Sequence, residues 1–334
     1  EQKRHYPLHF LVNGVFQPNP EQPERLDRLL QAAIQAGCRH EPPLAHGMEP
    51  LAAVHSTPYL HFLERAWDRW SRIEGAAPAV IPNVHPDSRA VGYPASVVAQ
   101  AGYHMADAAA PLADGSWTSI RWSAWAAVHA VRLLLDGEKA AYALCRPPGH
   151  HAFSDMAGGF CYLNNTAIAA QLLRRAHERV AILDVDLHHG NGTQEIFYRR
   201  GDVFTVSIHA DPERFYPFFW GYANETGAEE GEGCNQNFPL PRGSGDAEFL
   251  VELSAAIERI QQFAPGALVV ALGLDAFEGD PFGGLRVSTR GFGEIARKIA
   301  AELPLPTLLV QEGGYLCDEL GDNLRSFLEG FGGA

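Results

Sequence analysis

Five short runs of Val, Ile, Leu and Ala punctuate the chain beyond residue 139: AAYALC (140–145), VAILDV (180–185), VFTVSI (203–208), ALVVALG (267–273) and PTLLVQ (306–311). They read as continuously hydrophobic rather than alternating, with few polar residues inside them. A strand with one wet face alternates, whereas a strand covered on both faces does not. The runs therefore predict a parallel sheet buried on both sides. Helical segments lie between several of them: NNTAIAAQLLRRAHE (164–178), DAEFLVELSAAIERIQQF (246–263) and GFGEIARKIAAE (291–302). This alternation predicts an α/β fold, a doubly wound and mainly parallel sheet flanked by helices. No internal repeat, low-complexity tract or long linker interrupts it, so one domain is expected over 1–334. The stretch from about Ile81 to Ala101 is rich in Pro and polar residues. ANETGAEEGEGCNQN (223–237) reads as a surface excursion.

Every apolar run gives way at once to unusual polar or glycine-rich sequence: RPPGHH, DLHHGNG, HADP, LDAFEGDP and EGGY. In open α/β sheets, ligands bind beyond the carboxyl ends of the strands. Five such ends can converge on one pocket, and the chemistry is expected there.

Composition narrows the picture. The chain of 334 residues carries 26 Lys and Arg against 40 Asp and Glu, a formal charge of −14. Such a surface disfavours nucleic acid and anionic membranes and suits a cationic partner. The five cysteines (38, 145, 161, 234 and 317) form no CxxC pair. They read as free thiols of a reducing compartment, and a cytoplasmic location is expected. No apolar run approaches the roughly 18 residues of a membrane span. EQKRHYPLHF is too weakly apolar for a signal peptide.

Burying the carboxylates and imidazoles of AILDVDLHHGNGT (181–193) costs several kcal/mol each, on the order of, unless something pairs with them. Asp186 and His188, two residues apart, share a side of an extended segment and could ligate one ion. Asp275 could add a third ligand. One nitrogen and two carboxylates suit Zn²⁺, and also Fe²⁺, Mn²⁺ or Co²⁺, and leave a position open for catalysis. Alternatively, Asp186 and Asp275 cap turns and His188 is a core histidine. Next to them in the argument stand His150 and His151, on a turn made rigid by Pro-Pro-Gly. A histidine beside a metal-activated water can act as general base and then as acid. Asp184 and Asn191 are candidate partners, one for each ring, and a carboxylate raises a histidine pKa where an amide does not. Tyr315, after Glu312-Gly313-Gly314, could aim its hydroxyl at an oxyanion.

RPPGHH, GGFCYLNN, DVDLHHGNGT, LGLDAFEGDP and QEGGY together resemble the histone deacetylase superfamily, with its arginase–deacetylase fold, and most of all its bacterial acetylpolyamine amidohydrolases. YLHFLERAWDRW (59–70) and FYPFFWGYANETG (215–227) add to the likeness, which spans about 40–331. The resemblance implies Zn²⁺ on Asp186, His188 and Asp275, and His151 as general base and acid, oriented by Asn191. It implies His150 paired with Asp184, and Tyr315 polarising the scissile carbonyl. Gly159, Phe160, Tyr216, Phe282 and Gly313 would line a narrow tunnel for an extended acylated amine. A structural K⁺ would lie at Asp184, Asp186, His188, Ser207 and Ile208. The implied reaction is metal-dependent removal of acetyl groups from acetylated polyamines, releasing acetate and free amine, with acyl-lysine in protein or another small acylated amine as the alternative substrate. The segment 81–115 resembles a loop that narrows the entrance and builds a homodimer. Acidic residues of that loop in relatives correspond here to Val98 and Ala109, with Asp107, Glu278 and Asp280 as possible substitutes. Two-manganese ureohydrolases share the fold, but Gly190 and Phe277 stand where their extra carboxylates would be.

Overall fold

The computed structural model describes residues 1–88 and 92–333; Arg89, Ala90 and Val91 of the expected entrance loop, and Ala334, lie outside the described residues. An N-terminal hairpin pairs β1 (His9–Val12) with β2 (Val15–Pro18) antiparallel. The main sheet comprises β3 (Ala140–Ala143), β4 (Val180–Asp184), β5 (Val203–Ala210), β6 (Asn235–Leu240), β7 (Ala267–Leu272) and β8 (Thr307–Gln311). They lie in the order β3-β8-β7-β4-β5-β6, and every pairing is parallel.

The continuous apolar runs are explained by burial on both faces. Every residue of β4, β5, β7 and β8 is buried. Successive side chains point to opposite sides. Val180, Ile182, Val269 and Val310 pack against the helices Ser116–Leu135 and Asn165–Leu173. Ala181, Leu183, Leu268, Val270 and Leu309 face the helices Asp246–Phe263, Thr289–Glu302, Leu320–Gly332 and Glu24–Gln35. The sheet is thus doubly wound, with two hydrophobic cores.

Two expectations change. The segment 223–237 is not wholly a surface excursion, because its end opens β6. Its NQNFPL sequence hides the strand: Asn235 and Asn237 are buried on Gln194 through hydrogen bonds, and Pro239 is tolerated because β6 is an edge. The helix expected over 164–178 is shorter. Asn164 caps it by accepting from the Ala167 amide, and it ends at Leu173. Arg174 then turns to bind Asp202. Among the described residues no helix is long and apolar enough to cross a membrane.

Asp202 fastens the start of the β4–β5 pair. It accepts from Arg174 Nε at 2.6 Å and from Arg200 Nε and a terminal nitrogen at 2.9 and 2.8 Å. Burial pushes its carboxyl up, but the two guanidiniums outweigh that and hold it at about 2. A depressed carboxyl stabilises the fold above its unfolded pKa and loses that contribution as pH falls through the folded value. Asp202→Asn is expected to cost about 0.5–1 kcal/mol near neutral pH, discounted for solvent exposure. In urea unfolding, the gap between wild type and variant should narrow below about pH 4. A gap independent of pH would contradict the assignment.

Candidate active site and metal centre

The polar residues after the strands meet at the carboxyl edge of the sheet. Asp184 ends β4, and the chain then bends rather than staying extended. Asp184 Oδ1 accepts from the Asp186 amide at 3.0 Å, and Asp186 Oδ1 from the His188 amide at 2.8 Å. Asp275 follows β7, and its Oδ1 accepts from the Leu187 amide at 3.1 Å. The aspartates therefore do cap turns, and these turns also aim the side chains.

Asp186, His188 and Asp275 offer three buried ligand atoms within 4.8 Å of one another. His188 Nδ1 lies 3.3 Å from Asp186 Oδ1 and 3.1 Å from Asp275 Oδ2. Burial lowers the His188 pKa, but the two carboxylates outweigh it and raise it to about 9. Burial and the Asp186 charge push Asp275 above the usual carboxylate range. Burial opposes ionisation of Asp186, yet His150 and His188 hold it well below that range. Two buried carboxylates around one nitrogen call for positive charge, and this donor set fits a divalent cation. A second group, His150, Cys161 and Glu312, also lies close together. There Glu312 is already engaged by the Gly149 and His150 amides at 2.6 and 3.0 Å and by the Thr166 hydroxyl at 2.7 Å.

The two histidines receive different partners. His150 Nδ1 sits 3.0 Å from Asp184 Oδ2, and His151 Nδ1 2.8 Å from Asn191 Oδ1. Burial disfavours the charged form of His150, but Asp186 and Asp184 overcome it and raise its pKa to about 10. For His151, burial, the charge of His150 and that of His188 all push the pKa well below its ordinary value. The rings pack at 4.0 Å between centroids, so the two opposite shifts arise side by side. With Nδ1–H donated to Asn191, His151 keeps its Nε2 lone pair as a base.

Aromatic rings enclose His188. Phe215 stacks on it at 5.1 Å, with Phe282 at 5.5 Å and Tyr216 at 6.1 Å. Tyr315 packs on Phe282 at 4.7 Å and Phe160 at 5.8 Å. Burial keeps the Tyr315 phenol protonated far above its ordinary range, reinforced by Asp275 and Asp186 although Arg25 opposes them. Gly313, expected to touch substrate, donates its N–H to Asp186 Oδ2 at 2.8 Å, and its carbonyl accepts from the Leu274 amide. Ala109 joins the Phe160 cluster, while Val98 packs in a separate core with Phe62 and Leu63. Asp280 is not a rim acid. It is buried and accepts from the Phe282 and Tyr315 amides, both at 2.9 Å. Burial and neighbouring Asp275 raise its carboxyl to about 7. Glu278 is exposed. A cavity of about 710 Å³ lies elsewhere, along the outer edge of β3 beside Leu30, Trp122 and Tyr142, and no candidate site residue lines it.

The sequence pattern of the histone deacetylase domain matches residues 19–331. The chain belongs to this family. It is 47% identical to an acetylpolyamine amidohydrolase of Burkholderia pseudomallei, over 99% of this chain and 97% of that one. It is 44% identical to acetylpolyamine amidohydrolase 1 of Pseudomonas aeruginosa, over 98% and 96%. The crystal structure of an acetylpolyamine aminohydrolase from Burkholderia pseudomallei superposes with a TM-score of 0.95 at 47% identity, covering 99% of this chain and 96% of that one. The family fold, a parallel sheet between helices, is the one described above.

Three residues that shape the site escaped the sequence reading. Arg25, fully buried, donates to the carbonyls of Gly314 at 2.6 Å and Glu312 at 2.8 Å, and its guanidinium stacks 4.9 Å from the Tyr315 ring. Glu21 neutralises it at 2.6 Å and also meets Arg146 at 3.0 Å. Glu312 braces the Gly149–His150 turn. Arg25 and Glu21 carry only a local sign, an acid four residues before a base where a helix begins at Glu24, which usually marks a solvated pair.

A Cβ added to Gly313 would stand 2.3 Å from Asp275 Oδ2 and 2.6 Å from Asp186 Oδ2. Gly313→Ala must therefore displace one of these two carboxylates. Its metal content, read by elemental analysis after equilibration with Zn²⁺, is expected to fall on the order of tenfold or more. Full occupancy would place the ion elsewhere.

Proposed function

We propose that this protein hydrolyses acetylated polyamines to acetate and free amine, using one Zn²⁺ held by Asp186, His188 and Asp275. The observation that carries the reading is the pairing of His150 with Asp184 and of His151 with Asn191 beside that ligand group. Bound there, Zn²⁺ supplies Lewis-acid polarisation of the carbonyl and acidifies a water. His151 Nε2 takes the water proton as the carbonyl carbon is attacked. The Tyr315 hydroxyl donates to the developing oxyanion. His150 stays protonated on Asp184 and adds positive charge where negative charge gathers. The protonated His151 then delivers its proton to the departing amine.

The substrate class rests on the names of the similar proteins and on the excess of acidic residues, which suits a cationic amine. Phe160, Tyr216 and Phe282 would pass a slim methylene chain. A second metal is disfavoured: Phe277 is in the core, and any side chain at Gly190 would meet Asp184 Oδ2 at 2.3 Å. For K⁺, the β4–β5 register sets Asp184 opposite Ser207, which supports a site drawing on Asp184, Asp186, His188, Ser207 and Ile208. Their oxygens suit an ion stripped of water. The five free thiols fit a reducing cytoplasm.

Tyr315→Phe should retain Zn²⁺ and lose roughly 10²–10³ in kcat. Near-normal turnover would remove Tyr315 from the mechanism. The function itself is tested by kcat/KM on N-acetylputrescine, N-acetylcadaverine, N⁸-acetylspermidine and an acetyl-lysine peptide. The acetylated polyamines are expected to lead. A leading peptide would reassign the substrate to protein, and no turnover of any would overturn the deacetylase reading.

A further inference from the structure

The segment His104–Ala109 is laced to the turn carrying Gly159 and Phe160. The Ala157 amide donates to the His104 carbonyl at 2.7 Å, the Ala106 amide to the Ala157 carbonyl at 2.7 Å, and the Phe160 amide to the Ala109 carbonyl at 3.2 Å. Asp107 stands in the middle. Its Oδ1 accepts from the Ala109 amide at 2.8 Å. Its Oδ2 accepts from the Gly159 amide at 3.2 Å and from the Tyr216 hydroxyl at 2.7 Å.

These bonds join two parts of the site that the chain does not otherwise connect here. Gly159 and Phe160 both adopt left-handed backbone, with φ of 52° and 66°. That region is disfavoured for Phe and must be imposed by surrounding contacts. Phe160 reaches the Tyr315 side of the site. Tyr216 stands on the His151 side, its ring perpendicular to the imidazole at 4.9 Å. The described hydrogen bonds to Asp107 come from neutral donors only.

We infer that Asp107 is a positioning residue for the substrate: acting through Tyr216 and Gly159, it fixes the spacing of the two walls between which the acylated amine threads. The inference rests on the deacetylase reading and deepens it. Neither the metal ligands nor the His150–Asp184 and His151–Asn191 pairs hydrogen-bond to Asp107, so its loss should act on binding more than on the chemical step.

The experiment compares wild type, Asp107→Asn, Tyr216→Phe and the double variant as Zn²⁺-loaded full chains. It reads kcat and KM on N-acetylcadaverine, metal content and melting temperature. Tyr216→Phe deletes only the bridging hydroxyl and keeps the ring, so it reports even if Asp107→Asn folds poorly. Each single variant is expected to raise KM on the order of tenfold, with kcat changed by less and full metal content. The double variant should lose clearly less than the product of the single losses, because one hydroxyl–carboxylate bond is removed in both. Losses that multiply, or that fall on kcat with KM unchanged, would overturn the inference while leaving the deacetylase reading intact. A wild type without turnover on any acetylated amine would overturn both.

Discussion

Two buried carboxylates, Asp186 and Asp275, face one imidazole nitrogen of His188, and the surrounding structure is organised around that concentration of charge. Left alone, they would repel each other in a medium that screens poorly. Each is therefore tied down by backbone amides: those of Leu187, His188 and Gly313. The site is held by donors that cannot move without unravelling strand ends. This is why Gly313 has no room for a side chain, and why the chain bends so sharply after β4.

Around this centre the protein separates two chemically identical side chains. The Nδ1 atom of His150 meets a carboxylate and that of His151 an amide, and Asp186 adds its charge beside His150. These surroundings raise the pKa of one ring and lower that of the other. Glu312 stabilises the turn that carries both from below, while Arg25 holds the carbonyls that flank Gly313. The buried Glu21–Arg25–Arg146 cluster then binds the N-terminal segment to the far side of the site. Breaking such a cluster by removing one member is far more costly than its formation is favourable.

The sheet was legible because its inner strands are buried on both faces, and such strands leave an uninterrupted apolar signature. β6 was not, since an edge strand can satisfy its register with Asn side chains and a Pro. The metal group and the histidine pair could be read because their residues follow apolar runs within a few positions. Arg25, Glu21 and the inward contacts of Asp107 could not. Their role depends on contacts with residues 52 to 289 positions away, such as Asp107 with Gly159 or Arg25 with Gly314 and Glu312, and nothing local distinguishes them from surface charges. Asp280 was misplaced for the opposite reason. Its neighbourhood of Glu278, Gly279 and Pro281 looks like a wet loop, yet its carboxylate is turned inward to hold the Phe282 and Tyr315 amides.

The measurement that bears most directly on this account is a metal titration of the stripped protein, following acetate release from N-acetylcadaverine as Zn²⁺ is added. A single cluster of two carboxylates and one imidazole predicts activity that rises from baseline and saturates at one ion per chain, with Asp275→Ala showing neither uptake nor turnover. Full activity in the stripped protein, or saturation only at two ions, would contradict it.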